Sequence, residues 1–543
     1  MDGARSMVES GDWLVPRYQG QPFFDKPPLT CWLIAASFRA FGFSATAARL
    51  VPALAALGAI LATVWLGTLL FDREVALAGG WILATTFGFM IFSRVAMSDM
   101  LLVLWSTLAF GLAVALVRAP APPLALPALG AVLGLGFLTK GPVALLLPGL
   151  GMLLLAWNRP RPAMRRRGVF LAAALFALLG LGWFVVVWLR LGPGPLAHFF
   201  VRENLERFTG ETYDAGRSPF FYLGTYLSEG GPWALFLPAA LLAIARAQGA
   251  GEPGGNAGAR LLLGWMGLML VPLSLSRGKI DYYILPLYPA ASLVVAHYVV
   301  GRPWGAFDRV WARGVLVAGA AALSFVPRIA FAFPAPWLVE PARFVVAGVA
   351  IMTASALLVA IDRASPRRVL VTLAAASATV FLAAVSFAVP AFVSAQPNAA
   401  IVADVARERT YRPDVQVALC SDPARVQRDL LFHARIAVLV RCDLWSPASS
   451  EHPFLLVLQR NERDSLRSLR GFRMVSGHDF LPAAMINLEK LLSPPDPEPL
   501  FLAANYPSRD PEVLEGQRRR NERLERRERL RSPSAMPGSP PPP

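Results

Sequence analysis

The sequence predicts a polytopic α-helical membrane protein with a small C-terminal α/β domain, on three observations. Of its 543 residues 55% are hydrophobic and 16% charged, with a mean hydropathy of +0.48. Soluble domains carry about a quarter charged residues, so a single soluble globule is excluded. The apolar residues fall into a dozen runs, several of them about 20 residues long, enough for a helix to cross roughly 30 Å of hydrocarbon. Most arginines sit in short breaks between these runs, where positive charge orients membrane helices.

Taken in order, residues 1–46 form an outer loop with an interfacial helix, and the transmembrane region covers 47–393. Spans are expected at 47–71, 75–93, 100–117, 124–139, 142–157, 169–190, 233–246, 261–276, 282–300, 314–333, 343–361 and 369–393. The pair 124–139 and 142–157 is short enough to be re-entrant instead, with no change of parity. The breaks holding Arg159 to Arg167, Arg302 to Arg313 and Arg363 to Arg368 are assigned to the cytoplasm. The Arg94 to Asp99 break, the Lys140 turn, the loop 191–232, the Arg277 to Asp281 turn and everything after about 393 then lie outside. After 393 the polar content rises and β-like runs at 415–420, 436–440 and 454–458 predict an α/β domain over 394–509. Cys420 and Cys442 fall at or just beyond two of these runs, either as a disulfide or as two free thiols. The tail 510–543, rich in Arg and Glu and then in Pro, reads as a solvated helix followed by disorder.

The formal net charge of +16 is distributed between spans rather than gathered into a groove, so it reads as topological and nucleic acid is not expected as a partner. Three cysteines exclude a disulfide-dense scaffold, and the five histidines show no metal-ligand spacing, so no metal ligands are assigned.

Five groups of charged and aromatic residues collect on the inferred outer face. Asp25 and Lys26, fixed by Pro27 and Pro28, are an acid–base pair or two solvated ions. Asp99, at the start of an apolar span and preceded by Arg94, is an interfacial or cavity acid, unless with Ser98 it merely caps the helix. Lys140, alone in a sharp break, is a phosphate ligand or a snorkelling side chain. Residues 199–208 contain Glu203 and, at helical spacing, place Phe200, Asn204, Arg207 and Phe208 on one face, as a functional or simply anchoring amphipathic helix. The fifth group, Arg277, Gly278, Lys279, Asp281, Tyr282 and Tyr283, puts two cations on a side that should hold few, beyond what an aromatic belt explains. Together, basic groups for a phosphate and carboxylates for a hydroxyl are what a transferase using a phosphate-bearing lipid requires.

The ordered motifs Ser10 to Pro16, Asp25 to Leu29, Arg94 to Met100, Phe137 to Pro142, Glu203 to Phe208 and Ser276 to Tyr283 resemble the aminoarabinose transferase and protein O-mannosyltransferase type of membrane glycosyltransferase over residues 1 to about 300. The resemblance implies a C-type glycosyltransferase fold, a polyprenyl-phosphate-linked sugar donor, and a lipid A, envelope glycan or protein acceptor. It implies catalytic roles for Asp99 and Asp25. Lys26 would contact the donor phosphate, and Arg94, Lys140, Glu203, Asn204, Arg207, Arg277, Lys279, Tyr282 and Tyr283 would line the substrate site. No cofactor follows with certainty, although a divalent cation has room in the scheme; Asn204 stands where lipid A transferases often carry His. The family begins with a transmembrane helix and a leading acidic motif upstream of the segment matching Ala4 to Met7, so the coding start is expected to lie upstream of Met1. Two other readings stay open: a degenerate or non-catalytic lipid-binding protein, and a transporter of lipid-linked sugar, against which stands the lack of an internal repeat.

Overall fold

The structure, a computed structural model, describes residues 1–18, 21–118, 122–158, 166–206, 217–249, 256–332, 340–361, 365–388, 397–420, 438–439, 454–459, 473–480, 498–504 and 515. Its contacts divide the chain into two compact units, Met1–Pro390 and Ala391–Pro543.

The first unit is helical. A short amphipathic helix, α1 (Asp2–Ser10), and a two-stranded ribbon of β1 (Arg17–Tyr18) and β2 (Gln21–Pro22) lead into α2 (Leu29–Phe41). Next come α3 (Ala45–Leu70) and α4 (Arg73–Ala84), whose first turns are capped by Ser44 and Asp72 side chains accepting from the backbone N–H groups of Ala47 and Val75. They are followed by α5 (Phe87–Phe92), α6 (Asp99–Leu116), α7 (Ala125–Lys140) and α8 (Val143–Asn158). A long helix then runs as α9 (Arg166–Phe176), a π-turn at Ala177–Leu181 and α10 (Gly182–Leu191), and ends in the short α11 (Gly194–Ala197) and a second π-helical segment, His198–Glu206. The remainder comprises α12 (Phe221–Glu229), a 3-10 turn (Gly231–Phe236), α13 (Leu237–Gly249), α14 (Ala257–Leu275), a 3-10 turn (Asp281–Leu287), α15 (Tyr288–Val300), α16 (Ala306–Ala332), α17 (Glu340–Ile361) and α18 (Pro366–Ala383).

Among the described residues eight helices are long and apolar enough to span a membrane, and they coincide with eight of the twelve expected spans. Of the other four expected spans, two appear as apolar helices shorter than 18 residues and two are interrupted. The run 124–139 is α7 and 142–157 is α8, both short. The run 75–93 breaks at Thr85 and Thr86, whose hydroxyls hydrogen-bond back to the carbonyls of Trp81 and Ile82, separating α4 from α5. The run 233–246 begins as a 3-10 turn because Gly231 takes φ 60° ahead of Pro232. An apolar helix of 13 residues, Leu29–Phe41, appears within the expected outer loop.

Helix α15 is the centre of this unit, buried at every position but Val300. It approaches α3 and α4 through Gly67 and Gly79, where an added Cβ would lie 2.8 and 2.5 Å from the Leu293 side chain, the small-residue packing typical of membrane helices. By contrast Arg166–Leu191 is only 17% buried and turns Phe170, Leu178 and Leu189 outward, as a lipid-facing helix would.

The second unit contains α19 (Pro397–Tyr411) and a five-stranded mixed sheet of order β4-β3-β5-β7-β6. Here β3 (Gln416–Cys420) lies parallel to both β4 (Val438–Leu439) and β5 (Phe454–Gln459). Strand β7 (Glu498–Ala504) is antiparallel to β5 and to β6 (Arg473–Phe480). The three runs expected as strands are β3, β4 and β5; β6 and β7 were not expected. Cys442, the Cys420 side chain and, Glu515 apart, the tail after 504 lie outside the described residues.

Candidate active site

The residues assigned to the outer face meet in three ion pairs at two adjoining places. Asp99 opens α6 and Lys140 closes α7; their side chains are 7% and 11% exposed, and Lys140 Nζ lies 2.5 Å from Asp99 Oδ1. Ser98 makes no side-chain cap, so Asp99 serves the ion pair rather than the helix end. Lys140 also lies 5.1 and 5.8 Å from the ring centroids of Tyr283 and Tyr282, which the 3-10 turn after Asp281 brings over it. Thr139 supports this corner: its Oγ1 accepts from Trp105 Nε1 at 3.0 Å, tying α7 to α6.

The other two pairs are built on the segment before α2. Asp12 accepts from the N–H groups of Leu14 and Val15, and the indole N–H groups of Trp32 and Trp183 donate to the carbonyls of Trp13 and Leu14, so this loop is pinned to α2 and α10. Pro27 and Pro28 then hold Asp25 and Lys26 at the mouth of α2. Lys26 Nζ lies 3.5 Å from Glu203 Oε2, and His198 Nε2 lies 2.8 Å from Asp25 Oδ1. Ligand atoms of Asp25, His198 and Glu203 all fall within 4.8 Å of one another. One imidazole with two carboxylates is a donor set suited to a divalent transition metal.

The Asp99–Lys140 pair and the other two are joined at Gly141. Its φ of 69° ends α7, and a Cβ there would sit 2.4 Å from Phe199 Cζ, so the residue after Lys140 packs on the residue after His198. Phe199 in turn fills an apolar cluster with Leu29, Phe137 and Phe184.

Spacing along the chain gives His198 no ligand partner, and the structure supplies the reason. Residues 198–206 are wound as a π-helix rather than the expected α-helix, which aligns His198 with Glu203 five residues on. Asn204 turns inward, its Nδ2 donating to the Phe199 carbonyl at 2.6 Å, so it stabilises the π-turn. Arg207 and Phe208 lie outside the described residues.

Three further expected residues do not join the pairs through any contact among the described residues. Lys279 is buried and its Nζ donates to the Ser276 carbonyl at 2.7 Å, closing its own turn. Arg277 is exposed, and Arg94 stands 5.0 Å over the Phe381 ring.

Sequence reasoning missed Glu229, the last residue of α12. It accepts from the Tyr288 hydroxyl at 2.9 Å and lies against Gly88, and its burial, opposed by that hydrogen bond, pushes its carboxyl up to about 7. The signal was present: an acid in an aromatic run just before Gly230-Gly231-Pro232. Because the folded state holds the proton more tightly than the unfolded chain, this group favours folding below pH 4.5 and loses that contribution as pH rises toward 7. Glu229→Gln is therefore expected to flatten the fall in apparent melting temperature between pH 5 and 8, a slope of at most about 1.4 kcal/mol per pH unit. Parallel melting curves for the variant and the parent across that range would contradict it.

The family model for dolichyl-phosphate-mannose-protein mannosyltransferase matches residues 25–188. An uncharacterised Aquifex aeolicus protein is 34% identical over 54% of this chain and 65% of its own. An undecaprenyl phosphate-alpha-4-amino-4-deoxy-L-arabinose arabinosyl transferase of Sodalis glossinidius is 33% identical over 54% of this chain and 53% of its own. This chain thus spans between half and two thirds of these relatives. The crystal structure of ArnT from Cupriavidus metallidurans bound to undecaprenyl phosphate superposes with a TM-score of 0.72 at 19% identity, covering 93% of each chain. This chain is thus a polytopic helical protein of the C-type glycosyltransferase fold, similar in sequence to aminoarabinose transferases and to the mannosyltransferase family.

Proposed function

We propose that this chain is a glycosyltransferase that moves a sugar from a polyprenyl-phosphate-linked donor to lipid A, another envelope glycan or a protein at the periplasmic face of the inner membrane. The observation that carries the reading is the nearly buried Asp99–Lys140 pair under Tyr282 and Tyr283, joined through Gly141 and Phe199 to Lys26, Glu203, Asp25 and His198. Relatives named as aminoarabinosyl transferases favour an amino-deoxy pentose as the sugar.

The reaction is a single displacement. The bond from the anomeric carbon to the donor phosphate oxygen breaks, its electron pair stays on the phosphate, and the acceptor oxygen bonds to that carbon with inversion. Lys140 and Lys26 stabilise the charge gathering on the phosphate, and Asp99 orients the acceptor hydroxyl and takes its proton. An acceptor that is itself a phosphate needs no base, and Asp99 then acts by position alone. Incubating the purified chain with undecaprenyl-phosphate aminoarabinose and lipid A tests the reading. A lipid A mass increase of one sugar is expected; an intact donor in the presence of each acceptor class would refute it.

Asp25, His198 and Glu203 are suited to hold a divalent cation, which would add positive charge beside the donor phosphate. Lys26 lies 3.5 Å from Glu203, so Glu203 would be shared between the ammonium and the cation. Elemental analysis of the purified chain is expected to find about one transition-metal ion per molecule, lost in His198→Ala. Equal metal content in both proteins would remove the cation from the account.

A further inference from the structure

A second polar site lies at the other end of α15, about 20 Å along the helix from Tyr288 at 1.5 Å per residue. There a cavity of about 600 Å³ opens between α13, the C-terminal end of α15 and the first turn of α16. That volume is within the usual range for small-ligand sites. One wall is made small by Ala239, Ala240, Ala243 and Ala247 of α13. The polar lining includes Arg246, Arg302, His297 and Asp308.

Its charges do not cancel. Asp308 is fully engaged: Oδ1 accepts from the Tyr298 hydroxyl at 2.8 Å and from Arg302 Nη2, and Oδ2 accepts from the Gly305 N–H at 2.8 Å. Arg302 nevertheless keeps a buried Nε with no hydrogen-bond partner among the described residues. Arg246 has no carboxylate partner there either; its guanidinium lies 5.3 Å over the Phe307 ring. His297 Nε2 is taken by Asn256 Oδ1 at 2.7 Å, so it adds polarity without competing for Asp308. Among the described lining residues two guanidinium groups thus face one carboxylate. Beyond the rim, Phe307 and Val310 of α16 are exposed, the apolar flank expected to meet lipid.

Excess guanidinium charge beside an alanine-walled space, at the end of a membrane helix bundle, matches an anionic amphiphile: phosphate to the arginines, hydrocarbon along the alanines. We propose that this cavity binds the headgroup phosphate of an anionic membrane lipid, at the end of α15 opposite the transfer site. The site is independent of the transfer reaction, since none of its residues belongs to the Asp99–Lys140 or Asp25–His198 pairs.

The test is lipid binding by the purified full chain in neutral detergent, read by native mass spectrometry and by melting temperature. Phosphatidylglycerol, phosphatidylcholine and soluble glycerol phosphate are the probes, and Arg246→Gln and Ala243→Leu the variants. Phosphatidylglycerol is expected to bind saturably and raise the melting temperature, phosphatidylcholine to do neither, and Arg246→Gln to weaken binding about five- to tenfold. Ala243→Leu, which fills the alanine wall without touching a charge, is expected to weaken it as well. The proposal falls if the two lipids bind alike, if both variants bind phosphatidylglycerol as the parent does, or if glycerol phosphate saturates the site equally well.

Discussion

Asp99→Asn is expected to lower sugar transfer by about 10² to 10³, the usual loss when a group that acts on the transition state is removed, while the chain still inserts and folds. The variant keeps the shape of the side chain at the start of α6 but gives Lys140 a neutral partner. Lys140→Gln is expected to be as inactive, and each single variant is less stable, because it leaves Asp99, 7% exposed, or Lys140, 11% exposed, without its counter-charge. Breaking a buried pair from one side costs about 3–5 kcal/mol. The double variant Asp99→Asn, Lys140→Gln should recover most of that stability and none of the activity. This separation is the useful outcome: a double variant that regained transfer would show that the pair is structural only. Thermal melting and a single-turnover assay on the same preparations give both readouts.

Gly141→Ala carries the second large effect. The φ of 69° at this position disfavours any side chain, by about 1–3 kcal/mol, and the added Cβ would meet Phe199 Cζ at 2.4 Å. Relief must come from the Phe199 ring or from the end of α7, and either motion separates Lys140 from the His198 to Glu203 segment. A displacement of about 1 Å at a reacting centre costs roughly 10² in rate. Gly141→Ala should therefore melt several degrees lower and transfer sugar far more slowly. Gly149→Ala in α8, where a Cβ has nothing within 4 Å, should change neither. A Gly141→Ala protein with unchanged rate and melting temperature would mean that the Asp99–Lys140 pair and the other two do not depend on each other.

The sequence carried a good part of this site, and the residues show why it carried no more. Asp99 and Lys140 were legible because a charge at the edge of an apolar run has few reasons to be there, and the cost of exposing it to lipid demands a partner. Asp25 and Lys26 were legible from the two prolines that follow. His198 was not, because its ligand-forming neighbours are 173 residues away at Asp25 and five away at Glu203, and the second spacing aligns only in a π-helix. Glu229 was not singled out, since its burial depends on Gly88 and Tyr288 from distant elements. The eight long spans followed directly from hydropathy. The breaks at Thr85 and Gly231 did not, because they arise from side-chain hydrogen bonds and a positive φ rather than from any loss of apolar character. Strands β6 and β7 escaped because Arg473 to Phe480 and Glu498 to Ala504 mix charged or proline residues with apolar ones and show no clean alternation.

The central claim is that this chain catalyses transfer from a polyprenyl-phosphate-linked sugar. Its most direct test is a single-turnover reaction of the purified chain with radiolabelled undecaprenyl-phosphate aminoarabinose, scored by release of undecaprenyl phosphate together with appearance of label in lipid A. The account predicts equal amounts of both products in the parent and, over the same time, about 10² to 10³ less of both in Asp99→Asn. Donor that binds the parent and is recovered intact with every acceptor offered would contradict it, and would make the chain a lipid-binding protein built on a transferase fold.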